Sequence, residues 1–84
     1  MERKNDPKPL NIVGPTIRKL RTKQELTQDM LAARCHVLGL YISRSTLAKI
    51  EMQIRCCTDQ ELVTLAQALK VKMKDLFPSF GKLF

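Results

Sequence analysis

The chain has 84 residues, 44% of them apolar, with three glycines, four prolines and a net charge of +7. A chain of this length buries only about 60–65% of its unfolded surface, so one small core is the limit. The apolar content excludes a disordered polyelectrolyte, and no apolar run approaches the roughly 20 residues of a membrane span.

Charge and cysteine usage narrow the class further. Fifteen Lys and Arg against eight Asp and Glu favour a polyanionic partner: nucleic acid, an anionic membrane surface or an acidic protein. The cations gather as Arg18, Lys19, Arg21 and Lys23, as Arg44, Lys49 and Arg55, and as Lys70, Lys72 and Lys74. No apolar stretch follows the first charges, so no secretory signal is expected and the cytoplasm is the expected location. An odd number of cysteines, with Cys56 and Cys57 adjacent, reads as free thiols rather than a disulfide framework.

Residues 1–11 hold charges, two prolines and no periodicity, and read as a flexible basic arm. A first helix is expected near 14–24: Gly14 can cap it, Pro15 suits its first position, and Val13, Ile17 and Leu20 recur on one face. A second follows from Gln28 to near Leu38, with Thr27 as N-cap and Leu26 and Leu31 as a hydrophobic staple. Leu31, Ala32, Cys35 and Leu38 form its apolar stripe, and Gly39 closes it. The third runs near 44–53 behind the N-cap Ser43 and the staple pair Ile42 and Leu47, burying Leu47, Ile50 and Ile54. Thr58 and Glu61 then spell a capping box, with Cys57 and Leu62 at the staple positions. Leu62, Leu65, Ala66 and Leu69 carry this fourth helix to about Lys70. Met73, Leu76 and Phe77 indicate a short fifth helix before Pro78. No segment alternates as a strand, so five helices around one core are expected over residues 12–77.

Two adjacent helices of which the second opens at a serine cap make a helix-turn-helix. The residues carrying the pattern are Ile17-Arg18-Lys19-Leu20-Arg21, Leu26-Thr27-Gln28 with Leu31-Ala32, and Ser43-Arg44-Ser45-Thr46-Leu47 with Lys49-Ile50-Glu51. They continue with Leu65-Ala66-Gln67-Ala68-Leu69-Lys70-Val71 and Asp75-Leu76-Phe77. Over about residues 12–77 the chain resembles the Cro/cI-type (XRE-type) helix-turn-helix family. The resemblance implies an all-α, five-helix, lambda-repressor-like domain whose third helix reads double-stranded DNA. It implies that Gln28 touches the DNA backbone and buttresses the reading helix, and that Ser43, Arg44, Ser45 and Lys49 face base edges. It also implies that Arg21 pairs with Glu51 as a scaffold, an arrangement worth about 0–1 kcal/mol if partly exposed.

The residues support the same assignment. Arg44, Ser45 and Lys49 lie opposite or beside Leu47, Ile50 and Ile54 on the helix. An arginine there can bond guanine O6 and N7 together. Lys23, Thr46 and Arg55 are the remaining candidates for phosphate contacts. The chain departs from the family in having His36 where a glycine is usual, with a longer stretch from Val37 to Ile42 before Ser43. Gln53 also stands for a glycine, at a cost of about 1 kcal/mol if its backbone is left-handed. Cys57 replaces a usual proline, and Lys72 a usual cap.

Cys35-His36 and Cys56-Cys57 total four zinc-ligand side chains, but metal sites space their ligands by two to four residues, and neighbours on a helix diverge by about 100°. Core and staple roles account for Cys35 and Cys57, so no metal and no cofactor is assigned. With one histidine, no phosphate loop and no convergent carboxylates, no enzyme is expected. The reading is a sequence-specific DNA-binding transcriptional regulator, a repressor. The alternative is an interaction module such as the antitoxin of a toxin-antitoxin pair. Phe77, Phe80, Leu83 and Phe84 place an apolar tail at residues 78–84 and its approach, expected to be the contact of a homodimer.

Overall fold

A computed structural model describes residues 8–78. Four α-helices follow one another: α1 (Gly14–Lys23), α2 (Gln28–Val37), α3 (Arg44–Glu51) and α4 (Asp59–Ala68), with a 3₁₀ turn at Met73–Leu76. There is no strand among the described residues. No helix there is long and apolar enough to cross a membrane.

The starts of the helices are fixed by side chains a few residues away. Thr27, Ser43 and Thr58 hold extended backbone, and each side-chain oxygen accepts a hydrogen bond from the amide three residues on, at Met30, Thr46 and Glu61 respectively. Each bond satisfies one of the donors that a helix start leaves without a partner. The Glu61 carboxylate completes the box by accepting from the Thr58 amide at 2.9 Å. Helix α1 lacks such a residue at Val13, and Asn11 replaces it, its Oδ1 accepting from the Gly14 amide at 2.8 Å.

The ends follow one rule four times. Glu25, Gly39, Gln53 and Lys70 all have positive φ, between 58° and 95°. After each, the next amide reaches back five residues: Leu26 to Arg21, Leu40 to Cys35, Ile54 to Lys49 and Val71 to Ala66, all at 2.9–3.0 Å. These are Schellman closures, in which an apolar residue follows the left-handed one and folds back over the last turn. Only one of the four uses glycine, and each of the other three accepts about 1 kcal/mol of backbone strain.

These closures explain where the expected helices run too long. Helix α2 ends at Val37 and α3 at Glu51, so Leu38 and Ile54, expected on the buried stripes, are 46% and 53% exposed. Leu40, beyond the Gly39 reversal, packs against the core instead. Past Lys70 the chain forms only a four-residue 3₁₀ turn, not a fifth α-helix. The stretch is stopped by extended backbone at Lys72 and Phe77 and by the proline after it, too short to propagate α-helical bonds. The Asp75 carboxylate accepts from the Lys72 amide at 3.2 Å.

Ile17, Leu31, Cys35, Leu47, Ile50, Leu65, Leu69 and Leu76 are fully buried in the core. Helix α3 packs on both α1 and α2, α2 also on α4, and α4 on the 3₁₀ turn. At the crossing of α1 and α3 only glycine fits: a Cβ on Gly14 would collide with the Ile50 carbonyl and lie 2.9 Å from that of Glu51. Asn11 locks this crossing. Its Nδ2 donates to the carbonyls of Ile50 and Arg55 at 2.9 and 2.8 Å. The Leu10 amide donates to the Gln53 carbonyl, and Gln53 Nε2 to the Asn11 carbonyl, both at 2.9 Å. Leu10 and Asn11, assigned to the flexible arm, are therefore tied to the end of α3; residues 1–7 lie outside the described residues.

Candidate nucleic-acid interface

Helix α3 buries Leu47, Ile50 and Glu51. The opposite side presents Arg44, Ser45, Lys49 and, at its end, Met52, all exposed, with Ala48 half-buried between them. Ser43 stands exposed at the N-terminus, but its hydroxyl is engaged. It accepts from the Thr46 amide and donates to Thr46 Oγ1, both at 3.0 Å. Thr46 itself is half-buried. Met52 is absent from the residues that the sequence marks for this face; its place four residues after Ala48 is the signal that could have found it.

Behind this helix lies a buried polar network. Arg21 Nε donates to Glu51 Oε2 at 2.7 Å and Nη2 to Oε1 at 3.0 Å, a forked pair in which the two side chains are 11% and 2% exposed. The third arm of the guanidinium, Nη1, donates to the Leu26 carbonyl at 2.8 Å. Gln28 Nε2 donates to Glu51 Oε1 at 3.1 Å. The Glu51 hydrogen bond holds the Arg21 pKa above its ordinary value. The Glu51 carboxylate thus ties α1 and α2 to the last turn of α3, and the Arg21 guanidinium adds the loop before α2. The pair is far more enclosed than the partly exposed bridge expected from sequence, so its loss carries the penalty of a buried unpaired charge.

In front of the network is an open concavity of about 600 Å³, walled by Arg18 of α1, Thr27, Gln28 and Asp29 at the start of α2, and Arg44 and Ala48 of α3. Arg21 and Glu51 at its back neutralise one another, so Arg18 and Arg44 against the single carboxylate of Asp29 leave the wall with a net positive charge. Lys23 is exposed at the end of α1.

Arg55 is placed elsewhere. Its Nη1 donates to Glu61 Oε1 and to the Cys56 carbonyl, each at 2.9 Å, clamping the α3–α4 connection to the first turn of α4. Burial alone pushes the Glu61 carboxyl up, but the Arg55 guanidinium and the Thr58 amide together hold it below its ordinary value. Arg55 therefore has a scaffolding partner that its place in the sequence does not reveal.

The thiols divide by burial. Cys35 is in the core, Cys57 half-buried and Cys56 exposed. Burial pushes the Cys35 thiol up to about 11, and the Cys57 thiol likewise to about 11, so both stay protonated and are poor ligands and nucleophiles at neutral pH. Among the described residues no three His, Cys, Asp or Glu side chains come together as a metal site. Phe77, assigned to a dimer contact, instead packs half-buried against its own core. Its ring lines a small concavity with Leu10, Ile12, Cys57 and Leu62, because the 3₁₀ turn folds Leu76 and Phe77 back under α4. Phe80, Leu83 and Phe84 lie outside the described residues.

Four helices in this order, with α3 standing on α2 and turning a polar cationic face outward, define a helix-turn-helix protein. The helix-turn-helix family model matches residues 17–76. The chain belongs to the Cro/cI-type (XRE-type) helix-turn-helix family of DNA-binding regulators. Comparison with curated proteins and with solved structures gave no match.

Proposed function

We propose that this protein recognises a specific double-stranded DNA site through the major groove and represses transcription by occupying it. The observation that carries the reading is the outward face of α3: Arg44, Ser45 and Lys49 are exposed while the Arg21–Glu51–Gln28 network fixes the helix from behind. A rigid helix presenting long hydrogen-bonding side chains suits the groove floor, where base edges offer donors and acceptors. Arg44 takes the role of a forked donor to guanine, with Ser45 and Lys49 reading neighbouring pairs and Ser43, whose proton is given to Thr46, left to accept through its remaining lone pair. Gln28, Lys23 and Thr46 face the phosphates, as does the free side of Arg55. The alternative, an antitoxin that masks a toxin, finds on the outward face of α3 a single exposed apolar side chain, Met52, and that face suits a groove better than an apolar partner.

The test is selection of bound sites from random duplexes, followed by titration of variants on the selected site. Arg44→Ala is expected to cost about 1–3 kcal/mol on that site and to flatten the preference at one base pair. Equal losses on selected and random duplexes would move Arg44 from base to backbone.

A single reading helix covers too few base pairs to single out a site, and paired copies on half-sites about 34 Å apart solve this. We assign the pairing to the tail beyond Pro78, which carries Phe80, Leu83 and Phe84. Truncation after Pro78 is expected to leave a folded monomer by sedimentation and to weaken binding to a palindromic site. A full-length chain that stays monomeric at high micromolar concentration would remove the dimer.

A further inference from the structure

The chain's one tyrosine, Tyr41, is 85% exposed, two residues before the N-cap of α3. Its neighbours are both taken by the fold, Ile42 buried and Leu40 packed half-buried against the core. The ring of Tyr41 stands beside that of His36, also an exposed residue, with centroids 5.5 Å apart and planes tilted by 43°. His36 is itself held: its Nε2 lies 2.8 Å from the Ile42 carbonyl, a contact that assigns the proton to Nε2 as donor. The turn between α2 and α3, longer here than the family usually has, thus carries an aromatic side chain outward on a fixed support.

We propose that Tyr41, positioned by His36, is a DNA contact whose phenol donates to a backbone phosphate oxygen at the rim of the groove that α3 enters. The proposal rests on the DNA-binding reading above. When a reading helix lies with its N-terminal residues on base edges, the residues leading into it pass the groove's rim, where the phosphates stand. Tyrosine is one of the side chains that bond phosphate, and it has only two side-chain torsions to order on binding. The concavity of about 400 Å³ between Leu38, Leu40 and Val63 on one side and Asp59, Gln60 and Thr64 on the other is not lined by Tyr41. Its neighbour Leu40 turns toward that side, and Tyr41 turns to His36.

The experiment measures affinity for the selected site and for random duplex, together with phosphate-ethylation interference, for the full chain. Tyr41→Phe is expected to bind both duplexes about 10–150-fold more weakly, the effect of removing one hydrogen bond to a charged group, with an unchanged melting temperature. One phosphate per half-site whose ethylation blocks the unsubstituted protein should no longer matter to the variant. His36→Ala should weaken binding on its own and add nothing to Tyr41→Phe, since it acts through the phenol. Unchanged affinity in Tyr41→Phe and Tyr41→Ala, while Arg44→Ala still loses its preference, overturns the proposal and leaves the reading helix standing. A change of sedimenting mass in Tyr41→Ala without a change of affinity overturns it in favour of a protein contact. If the unsubstituted chain binds no duplex, the DNA reading itself falls.

Discussion

Glu51→Ala is expected to lower the unfolding free energy by about 3–5 kcal/mol, the loss found when one partner of a buried ion pair is removed. The Arg21 guanidinium, 11% exposed, would keep its charge and its bond to the Leu26 carbonyl but lose both carboxylate oxygens. Gln28 would lose the same acceptor. Small domains have only about 5–15 kcal/mol in total, so the variant would unfold at much lower denaturant, and urea titration followed by circular dichroism reads the shift directly. Glu51→Gln preserves shape but not charge, and should recover only part of the loss. A loss below about 1 kcal/mol would mean that the pair behaves as a solvated surface bridge.

Binding to duplex DNA is expected to weaken by about 10³–10⁵-fold between 50 and 200 mM monovalent salt, the range for about 6–10 phosphate contacts. The net charge of +7 per chain and the cationic concavity before α2 supply the counterion release, doubled if two copies bind. Fluorescence anisotropy at several salt concentrations gives the slope. Lys23→Ala should make that slope shallower by about one per phosphate released, with equal weakening on all sequences. A salt-independent affinity would refute the phosphate assignment of Lys23. Arg55 contributes less to this slope than its place in the sequence suggests, because its guanidinium is partly committed to Glu61.

The helices were legible because their signals are local. Each of Thr27, Ser43 and Thr58 reaches an amide three residues away, so the sequence around it contains the whole reason for the helix start. Stop signals were half legible. Gly39 and Gln53 stand out as left-handed positions, whereas Glu25 and Lys70 carry no residue preference for that backbone. Their signal was the apolar residue that follows, Leu26 and Val71, which folding turns back onto the helix. Because that reversal falls early, the shorter helices cannot carry Leu38 and Ile54 into the core where periodicity alone would place them.

The resemblance paired Arg21 with Glu51, but not how deeply the pair is enclosed, since burial depends on α1, α2 and α3 meeting at one point. Asn11 reads as part of an arm for the same reason. Its two Nδ2 bonds go to carbonyls 39 and 44 residues away, and no pattern near Asn11 encodes them. Arg55 looks free until α4 brings Glu61 against it.

Composition and periodicity alone determined that this chain is a small, cationic, all-helical domain with three side-chain-capped helices, because those properties depend on residues within one turn of each other. Which charges are spent on holding the domain together, and which remain for a partner, was decided only when the chain closed. Arg21 and Arg55 found carboxylates 30 and 6 residues away, while Arg44 and Lys49 were left exposed. Coulombic and hydrogen-bond energies depend on distance in space and on exclusion of water, and the linear sequence specifies neither until the fold is made.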